Sequence, residues 1–484
     1  MIPSFPVEFY VLFLGIVLLL ADAFFPTMDK RNLAYVAIVW LAGFFVGTLF
    51  LQPTALWAVP AGFYTADPLG IFFKQFALVA TILTLVLSIE YAPVVERFVP
   101  GSKPGAGLGE FFILPVFTCA GLMWMASAAD FVMIFCALEL VTISFYIQVA
   151  YMRKSVASLE AGTKYLILGA LSTGFLVYGI TWIYGMSGQT GLHAISAAFA
   201  GIPAIPQSSQ TALLFGLGLV LVALGFKVAA APFQFWVPDV YQGAPTPVTA
   251  FLSVGSKAAG FVVLMRVLGP FLTVPEIEGK VITVLQILAG FTLIYGNLAA
   301  MPQMNLKRLL GYSSIAHAGY LLVGVASVGS PQAGRAIVFY LAGYLLMTFL
   351  AFLVLIPVAK ATGGDDISHF NGLGRRAPGL ALAMLISMLS LAGLPFTVGF
   401  LGKFFIFEAA MREQHYLLVA IGVVTVACGF YYYLKVVRAM YWQPAPADSG
   451  PVEVSALTRF AAAFLAALIL IIGIFPKPIL DILP

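Results

Sequence analysis

Long apolar runs, each about the length needed to cross a lipid bilayer, follow one another along almost the whole chain. A transmembrane helix needs roughly 20 mostly apolar residues to cross a hydrocarbon core of about 30 Å. The runs are continuous rather than alternating, which favours helices over the strands of a membrane β-barrel. Fourteen candidate spans begin near Val7, Leu33, Pro68, Glu110, Asp130, Ala157, Thr211, Thr246, Lys280, Leu306, Gly334, Pro378, Tyr416 and Ala456. The sequence therefore predicts an all-α polytopic membrane protein that forms a single transmembrane domain over residues 1–484.

The composition excludes most classes of soluble protein. Of 484 residues, 62% are hydrophobic and 9% are charged, whereas soluble domains carry about 45–50% apolar and about 25% charged residues. A soluble enzyme, a nucleic-acid-binding protein and a disordered chain are therefore excluded. Cys119, Cys136 and Cys428 lack the spacing of a disulfide framework, a zinc site or an iron–sulfur site, so we expect this chain to bind no metal and no cofactor. The first seven residues carry no Lys or Arg, which predicts a retained first span rather than a cleaved signal peptide.

Basic residues are distributed unequally between the two sides of this predicted topology. Linkers after odd-numbered spans carry thirteen of them, namely Lys30, Arg31, Arg97, Lys103, Arg153, Lys154, Lys307, Arg308, Lys360, Arg375, Arg376, Arg438 and Arg459. The other linkers and the C-terminal tail carry five, namely Arg266, Lys280, Arg335, Arg412 and Lys477. Because cytoplasmic loops carry an excess of Lys and Arg, both termini are predicted to lie on the periplasmic side of a bacterial inner membrane.

Six lysines fall within predicted spans, where a charge at mid-bilayer costs roughly 2.5–3.5 kcal/mol on insertion scales. Lys74 lies about two turns into its span, and we interpret it as a side chain that snorkels to the headgroups or has a local role. Lys435, close to the end of span 13, is interpreted as an interface anchor. The remaining four lie deeper, and snorkelling explains them poorly: Lys164, Lys227, Lys257 and Lys403.

Glu139 lies deep within span 5, and its neighbours in the chain offer no basic partner, so a partner is expected from another helix. Structural ion pairs are the alternative interpretation for such groups, but desolvation largely cancels the Coulomb attraction of a buried pair. Buried lysine and glutamate side chains can exchange protons near neutral pH. Four deep lysines and one deep glutamate therefore favour proton conduction over the transport of a larger solute.

Two predicted spans contain a proline close to one of these lysines. Pro232 follows Lys227 in span 7, and Pro395 precedes Lys403 in span 12. A proline inside a helix removes a backbone donor and frees a carbonyl. Irregular backbone at membrane depth is tolerated only against protein or water. We therefore predict two discontinuous helices beside hydrated polar cavities, as corresponding parts of an internal repeat.

A polar stripe marks span 10. Ser313, His317 and Tyr320 follow one another at spacings of four and three residues, which places them on one helix face. A single histidine can be a packing residue whose hydrogen bonds are satisfied. The alternative is a proton relay, because histidine titrates closest to neutral pH.

The segment from Lys227 to Ser253, KVAAAPFQFWVPDVYQGAPTPVTAFLS, resembles the signature of the antiporter-like membrane subunits of respiratory complex I. Its Gln-Phe-Trp and Tyr-Gln-Gly details are similar to those of the subunit N (NuoN) family. The resemblance continues through Ala137-Leu138-Glu139-Leu140, the stretch EAGTKY at 160–165, the stretch KRLLGYSS at 307–314 and Gly393-Leu394-Pro395. It covers the core of fourteen spans.

This resemblance implies roles for particular residues. Glu139 and Lys227 match the family's essential ion pair, and Lys164 matches its basic residue on span 6. Lys257 matches the connecting lysine on span 8, His317 lies on the connecting polar axis, and Lys403 matches the terminal residue on span 12. The resemblance also implies two inverted five-helix repeats, spans 4–8 and 9–13. The corresponding divisions are 1–109, 110–270, 278–443 and 456–484. The two repeats depart from strict symmetry, because His317 on span 10 occupies the position that corresponds to Glu139 on span 5.

The function implied by the resemblance is proton translocation within NADH:quinone oxidoreductase. NAD(H), FMN, iron–sulfur clusters and quinone would then be bound by partner subunits, and the neighbours of this chain would be subunit M, a K-like subunit and the lipid bilayer. Opening the Glu139–Lys227 pair would send a proton through Lys257 toward His317 and Lys403. Two alternatives stay open: a subunit of an Mrp-type cation/proton antiporter, and a passive assembly scaffold. Lys403 and Gln234 argue against the Mrp alternative, because those relatives usually have glutamate and histidine there.

Overall fold

The computed structural model describes residues 7–50, 62–100, 105, 107–200, 206–445 and 452–481. Lys103, one of the thirteen basic linker residues, lies outside the described residues. The helices are α1 (Val7–Phe24), α2 (Arg31–Thr48), α3 (Pro68–Phe98), α4 (Leu108–Ser127), α5 (Phe131–Val149), α6 (Val156–Ser187), α7 (Leu192–Ala200), α8 (Gln207–Val228), α9 (Val237–Gly243), α10 (Thr246–Phe251), α11 (Lys257–Leu272), α12 (Pro275–Ala300), α13 (Leu306–Ala326), α14 (Ala333–Thr362), α15 (Leu373–Arg376), α16 (Pro378–Ala392), α17 (Val398–Arg412), α18 (Tyr416–Trp442), α19 (Ala456–Ile474) and α20 (Lys477–Leu480). A π-helical turn, Leu252–Ser256, joins α10 to α11, and Ile367–Phe370 forms a 3₁₀ turn.

Within the described residues, thirteen helical segments are long and apolar enough to cross a membrane. Every predicted span begins at or within a few residues of an observed helix start. The remaining predicted span, span 12, corresponds to α16 and α17, two helices of 15 residues each that are separated by a break. The predicted all-α polytopic membrane fold is thus confirmed, whereas the inverted repeats and their boundaries stay predictions.

Helix ends follow the local sequence. The Asp130 side chain accepts a hydrogen bond from the backbone N–H of Val132 at 2.7 Å and caps the start of α5. The Asn305 side chain does the same for α13 by accepting from the N–H of Arg308 at 3.1 Å. Such caps satisfy donors that the first helical turn leaves free. The two caps therefore fix the residues at which α5 and α13 begin.

The chain forms two compact units. The first comprises Met1–Leu85, Val99–Ala229 and Gly255–Val284, and the second comprises Val86–Phe98, Ala230–Val254 and Leu285–Pro484. In the second unit, the apolar window of α13 is entirely buried, and 94% of that of α14 is buried. A helix that is apolar on all sides belongs in the interior of a bundle. These two helices therefore form the core of the second unit, and their side chains line its interior.

In the first unit, Lys74 is buried rather than directed toward headgroups. Its ammonium lies 2.9 Å from Oε1 of Glu8, a carboxylate with no solvent exposure in α1. The hydroxyl of Tyr64 donates to the same oxygen at 2.9 Å and accepts a hydrogen bond from Lys74. Snorkelling is therefore the wrong interpretation of Lys74, and its local role is an ion pair that ties α3 to α1.

Lys74→Met is expected to destabilise the folded protein, because it leaves Glu8 as a buried carboxylate without its counter-ion. Removing one partner of a buried pair costs about 3–5 kcal/mol, whereas replacing both partners with apolar groups is often nearly neutral. The measurement is thermal unfolding of the purified protein in detergent. The double variant Glu8→Met/Lys74→Met is the matched control and should unfold near the parent temperature. Equal unfolding temperatures for Lys74→Met and the parent would contradict this account of the pair.

Candidate functional site

Lys403 is held at a break between two short helices of the second unit. It lies in α17, is 5% exposed, and directs its ammonium to the end of α16. There it donates hydrogen bonds to the backbone carbonyls of Leu391 at 2.9 Å and Ala392 at 2.8 Å. The last carbonyls of a helix have no partner within the helix and carry partial negative charge. The broken helix thus provides polar acceptors for a cation within an apolar interior.

The local sequence explains why the helix ends at this point. Gly393 adopts φ +92°, a left-handed conformation that glycine tolerates best, and it terminates α16. A Cβ atom at this position would lie 3.1 Å from Cδ and 3.2 Å from Nζ of Lys403. Pro395 lies within the non-helical stretch before α17 begins at Val398. Gly393 therefore both turns the chain and leaves space for the lysine.

A hydrogen-bonded cluster surrounds His317 on the buried helix α13. Its Nδ1 shares a hydrogen bond of 2.7 Å with the hydroxyl of Tyr340 on α14, and its Nε2 shares one of 3.1 Å with the hydroxyl of Tyr433 on α18. The Tyr433 hydroxyl also shares a hydrogen bond with Ser313. Ser313 and His317 thus lie on one helix face, and both ring nitrogens of the histidine have hydrogen-bond partners.

Tyr320 lies between this cluster and Lys403. The ammonium of Lys403 sits 5.0 Å from the centroid of the Tyr320 ring, and the same ring lies 6.1 Å from the His317 ring. The Tyr320 hydroxyl shares a hydrogen bond of 3.4 Å with Thr425 on α18. We use the name histidine–tyrosine array for Ser313, His317, Tyr320, Tyr340 and Tyr433. The array and Lys403 form one contiguous polar region inside the second unit.

The chemistry of these groups suits proton exchange. A neutral imidazole donates at one ring nitrogen and accepts at the other, and a tyrosine hydroxyl can do both. Flanked by two hydroxyls, His317 can therefore take a proton on one side and release one on the other. The nearby lysine can hold or lose a proton, and its ammonium lies over the ring face of Tyr320.

In the first unit, Lys227 occupies the last turn of α8. Its side chain is 3% exposed, and its ammonium is buried without a hydrogen-bond partner in the part of the chain that the structure describes. The helix ends at Val228, where Ala229 takes up a left-handed conformation at φ +65°, and no helix resumes until Val237. The interrupted stretch contains Pro232. Lys227 is thus a buried amine at the carboxyl end of a broken helix, an end that carries partial negative charge.

Lys257 begins α11 directly after the π-helical turn, and it is 3% exposed. One turn later, Gly260 packs against the end of α8, where a Cβ atom would lie 3.3 Å from Cγ of Lys227 and 2.9 Å from Cγ1 of Val228. The glycine lets the two helices approach closely. Lys227 and Lys257 therefore occupy directly packed helices. Single π-helical turns occur often at functional sites.

Glu139 and Lys164 are less buried than these lysines. Glu139 on α5 is partly exposed and accepts a hydrogen bond of 2.8 Å from the hydroxyl of Thr173 on α6. Its carboxylate acts on Lys227 electrostatically, without a direct hydrogen bond between the two. The side chain of Lys164 is 42% exposed and forms an ion pair of 2.7 Å with Glu160, one turn earlier on α6. Glu160 was not predicted as that partner from the sequence.

Two tyrosines of the array were missed from the sequence. Tyr340 carries no signal within its apolar run, and Tyr433 is the last of three consecutive tyrosines shortly before Lys435. Lys435 itself donates to the carbonyls of Met301 at 2.9 Å and Gln303, just beyond the end of α12. Throughout the described ranges, no group of three or more His, Cys, Asp or Glu side chains could hold a metal ion.

Gly393→Ala is expected to destabilise the break that holds Lys403, because alanine pays about 1–2 kcal/mol in a left-handed conformation and its Cβ would crowd the lysine. The measurement is thermal unfolding of the purified protein. Gly334→Ala is the matched control, since Gly334 in the first turn of α14 has no atom within 4 Å of the added Cβ. Equal unfolding temperatures for the two variants would show that the break does not depend on glycine.

Comparison with known proteins identifies the family. The family described as NADH:quinone oxidoreductase/Mrp antiporter, TM, matches residues 128–429. NADH-quinone oxidoreductase subunit N of Moorella thermoacetica is 39% identical over 473 residues, which cover 98% of this chain and 95% of that relative. A chain of respiratory complex I from Thermus thermophilus with bound aureothin has a TM-score of 0.80 and 31% identity, with 98% of each chain covered.

The Mrp complex from Dietzia sp. DQ12-45-1b contains a chain with a TM-score of 0.81 and 20% identity, covering 98% of this chain and 96% of that one. At that identity the likeness is one of fold alone. The match to subunit N, in contrast, extends over almost the whole of both sequences. The resemblance found in the sequence is therefore confirmed, and the chain belongs to the subunit N family of NADH-quinone oxidoreductase.

Proposed function

We propose that this chain is a proton-translocating subunit of NADH:quinone oxidoreductase, embedded in the bacterial inner membrane. It moves protons across the membrane while electrons pass from NADH to quinone elsewhere in the complex. The observation that carries the proposal is the contiguous polar region of the second unit, where Lys403 faces Tyr320 and Tyr320 faces His317. A buried lysine, a histidine and tyrosine hydroxyls are groups that exchange protons, and together they form a path rather than isolated ion pairs.

In this path, His317 receives a proton through one of its two hydroxyl partners and releases one at its other ring nitrogen. Lys403 serves as the terminal group of the chain. The carbonyls of Leu391 and Ala392 stabilise its ammonium, so a change in the local field is needed before the proton leaves. Moving one proton against 100 mV costs about 2.3 kcal/mol, a cost that a shift of one nearby charge can supply.

In the first unit, Glu139, Lys227 and Lys257 form the second set of proton-carrying groups. Lys227 is buried without a hydrogen-bond partner among the described residues, so its charge state is sensitive to neighbouring charge. Glu139 is the acid that acts on it. If Glu139 moved to within about 4 Å of Lys227, the two unit charges would attract by about 4 kcal/mol at an effective dielectric constant near 20. Movement of Glu139 relative to Lys227 would therefore control whether the lysine keeps its proton.

Lys164 has a different environment within the same proposed set. Its exposed side chain and its ion pair with Glu160 place it on the outer face of α6, whose apolar window is only 28% buried within this chain. A polar group on such a face suits contact with a neighbouring subunit of the membrane arm. Lys164 is thus proposed as the basic group through which a neighbour influences Glu139 and Lys227.

The chain has no redox centre of its own in this proposal. NAD(H), FMN, iron–sulfur clusters and quinone are bound by partner subunits, and subunit M and a K-like subunit are its neighbours in the membrane arm. Redox energy reaches this chain as an electrostatic or conformational bias. A subunit of an Mrp-type antiporter is the second candidate, favoured by the likeness of fold. The complex I subunit is favoured over this candidate, because Lys403 and Gln234 occupy positions where Mrp-type relatives usually have glutamate and histidine.

Lys403→Ala is expected to stop proton transfer through this chain, so that the assembled complex moves fewer protons per NADH oxidised. Lys403→Arg should not restore them, because a guanidinium stays protonated and cannot pass the proton on. The measurement is proton uptake by membrane vesicles together with NADH oxidation, with assembly checked on native gels.

Lys435→Arg is the matched control for this experiment. Lys435 also donates to two backbone carbonyls near a helix end, and no contact joins it to the histidine–tyrosine array in the described structure. This variant should pump normally. A normal proton yield in Lys403→Arg would remove Lys403 from the path.

We also propose that both termini face the periplasm, on the strength of the unequal distribution of basic linker residues. A reporter that is active only in the cytoplasm and is fused after Pro484 should then give no signal. The same reporter inserted between Arg153 and Lys154, in a linker after an odd-numbered span, is the positive control. A strong signal from the C-terminal fusion of an intact protein would reverse the proposed topology.

A further inference from the structure

Lys307 is a buried lysine of the second unit that the proposed proton path does not use. It lies in the first turn of α13, is 3% exposed, and donates a hydrogen bond of 2.6 Å to the backbone carbonyl of Ala244, the residue after α9. Its ammonium also lies 4.0 Å from Oδ2 of Asp365, whose side chain is 26% exposed. Asp365 therefore joins the surface of the second unit to a buried amine.

The segment that carries Asp365 is fastened across the start of α13. The backbone N–H of Leu306 donates to the carbonyl of Asp365 at 2.8 Å, and the N–H of Ile367 donates to the carbonyl of Met304 at 2.8 Å. These bonds hold the carboxylate beside Lys307. In the proposed topology this segment follows an odd-numbered span, so Lys307 and Asp365 meet at the cytoplasmic surface.

A second polar contact lies two turns further along the same face of α13. Ser314 shares a hydrogen bond of 2.9 Å with the hydroxyl of Tyr241 on α9, and both side chains are buried. The hydroxyl of Tyr344 on α14 also forms a hydrogen bond with Ser314, and the Tyr344 ring lies 4.9 Å from the His317 ring. We use the name hydroxyl bridge for Tyr241, Ser314 and Tyr344. This bridge connects α9 to the histidine–tyrosine array.

Gly311 separates Lys307 from Ser314 on this helix face, four residues after the one and three before the other. A Cβ atom at Gly311 would lie 3.5 Å from Cα of Pro238 and 3.5 Å from Cβ of Tyr241, which is an ordinary contact distance. The position therefore has room for a methyl group, and a single water molecule is of similar size. A water there would connect the lysine to the hydroxyl bridge.

We infer that protons enter the array from the cytoplasmic side at the pair Lys307 and Asp365 and reach His317 through the hydroxyl bridge. This inference rests on the proposed function, because it names the route that supplies His317. The ammonium of Lys307 gives one proton to the bridge and becomes an amine. Each hydroxyl oxygen accepts a proton as its own proton leaves, and His317 becomes an imidazolium. Asp365 then passes a proton from the cytoplasm to the amine.

Tyr241→Phe tests the bridge, because it removes one hydroxyl and keeps the ring packed against Gly311. The measurement is the number of protons taken up by membrane vesicles per NADH oxidised by the fully assembled complex. The ratio should fall as far as it does in Lys403→Ala, since both variants stop the same path. Tyr312→Phe is the matched control and should leave the ratio unchanged, because Tyr312 is partly exposed on α13 and its ring lies against Arg308.

Gly311→Ala tests the route without removing a polar group. Its methyl group fits against α9 and occupies the space between Lys307 and the bridge, so the ratio of protons to NADH should fall. Gly334→Ala adds the same methyl group where no atom lies within 4 Å and should not change the ratio. Lys307→Arg keeps the charge and the hydrogen-bond donors that a structural role needs. It should nevertheless lower the ratio, because a guanidinium does not release its proton.

The Lys403→Ala variant separates a failure of this inference from a failure of the proposed function. A parent-like ratio in Tyr241→Phe, Gly311→Ala or Lys307→Arg, beside a low ratio in Lys403→Ala, would overturn the entry route and leave the proposed function standing. A parent-like ratio in Lys403→Ala itself would contradict the proposed function and the inference with it.

Discussion

The hydrogen bonds between the ammonium of Lys403 and the last carbonyls of α16 are the interaction on which the site in the second unit depends. An isolated cation in an apolar interior is costly, and proteins accept it only with polar partners. An unbroken helix would use those carbonyls in its own hydrogen bonds. Because α16 ends at Ala392, its carboxyl end becomes a ready acceptor for a positive charge. The break and the lysine are therefore one feature of the fold.

The histidine–tyrosine array depends in turn on the packing of α13 and α14. Tyr340 on α14 and Tyr433 on α18 are each 1% exposed, so their hydroxyls are held where another polar group of the protein must satisfy them. His317 is that side chain, with one hydroxyl at each ring nitrogen. Buried polar networks of this kind are rigid when every member has a partner.

The sequence predicted the features that arise from local chemistry. Apolar length set the spans, and a proline near a lysine indicated both interrupted helices. Helical spacing placed Ser313 and His317 on one face. The pairing of Lys164 with Glu160 could also have been predicted, because a glutamate four residues before a lysine is a known helical pair. These features need no knowledge of how distant segments pack.

Contacts between distant segments could not be predicted in this way. Tyr340 and Tyr433 lie 23 and 116 residues from His317, and each is an ordinary tyrosine in an apolar run until the helices pack. Glu8 similarly looked like a polar residue near the start of the chain, whereas it is the buried partner of Lys74. In each case the decisive information is which helix faces which, and periodicity along a single helix does not contain it.

The most direct test of proton transfer through the array removes its hydroxyls without changing its shape. In Tyr340→Phe/Tyr433→Phe, His317 keeps its ring packing and loses both hydroxyl partners. Tyr441→Phe is the matched control, because that side chain is exposed near the end of α18 and packs against Trp442, away from the array. The measurement is the number of protons taken up by vesicles per NADH oxidised by the fully assembled complex. The account predicts a lower ratio in the double variant and an unchanged ratio in the control; an unchanged ratio in the double variant would contradict it.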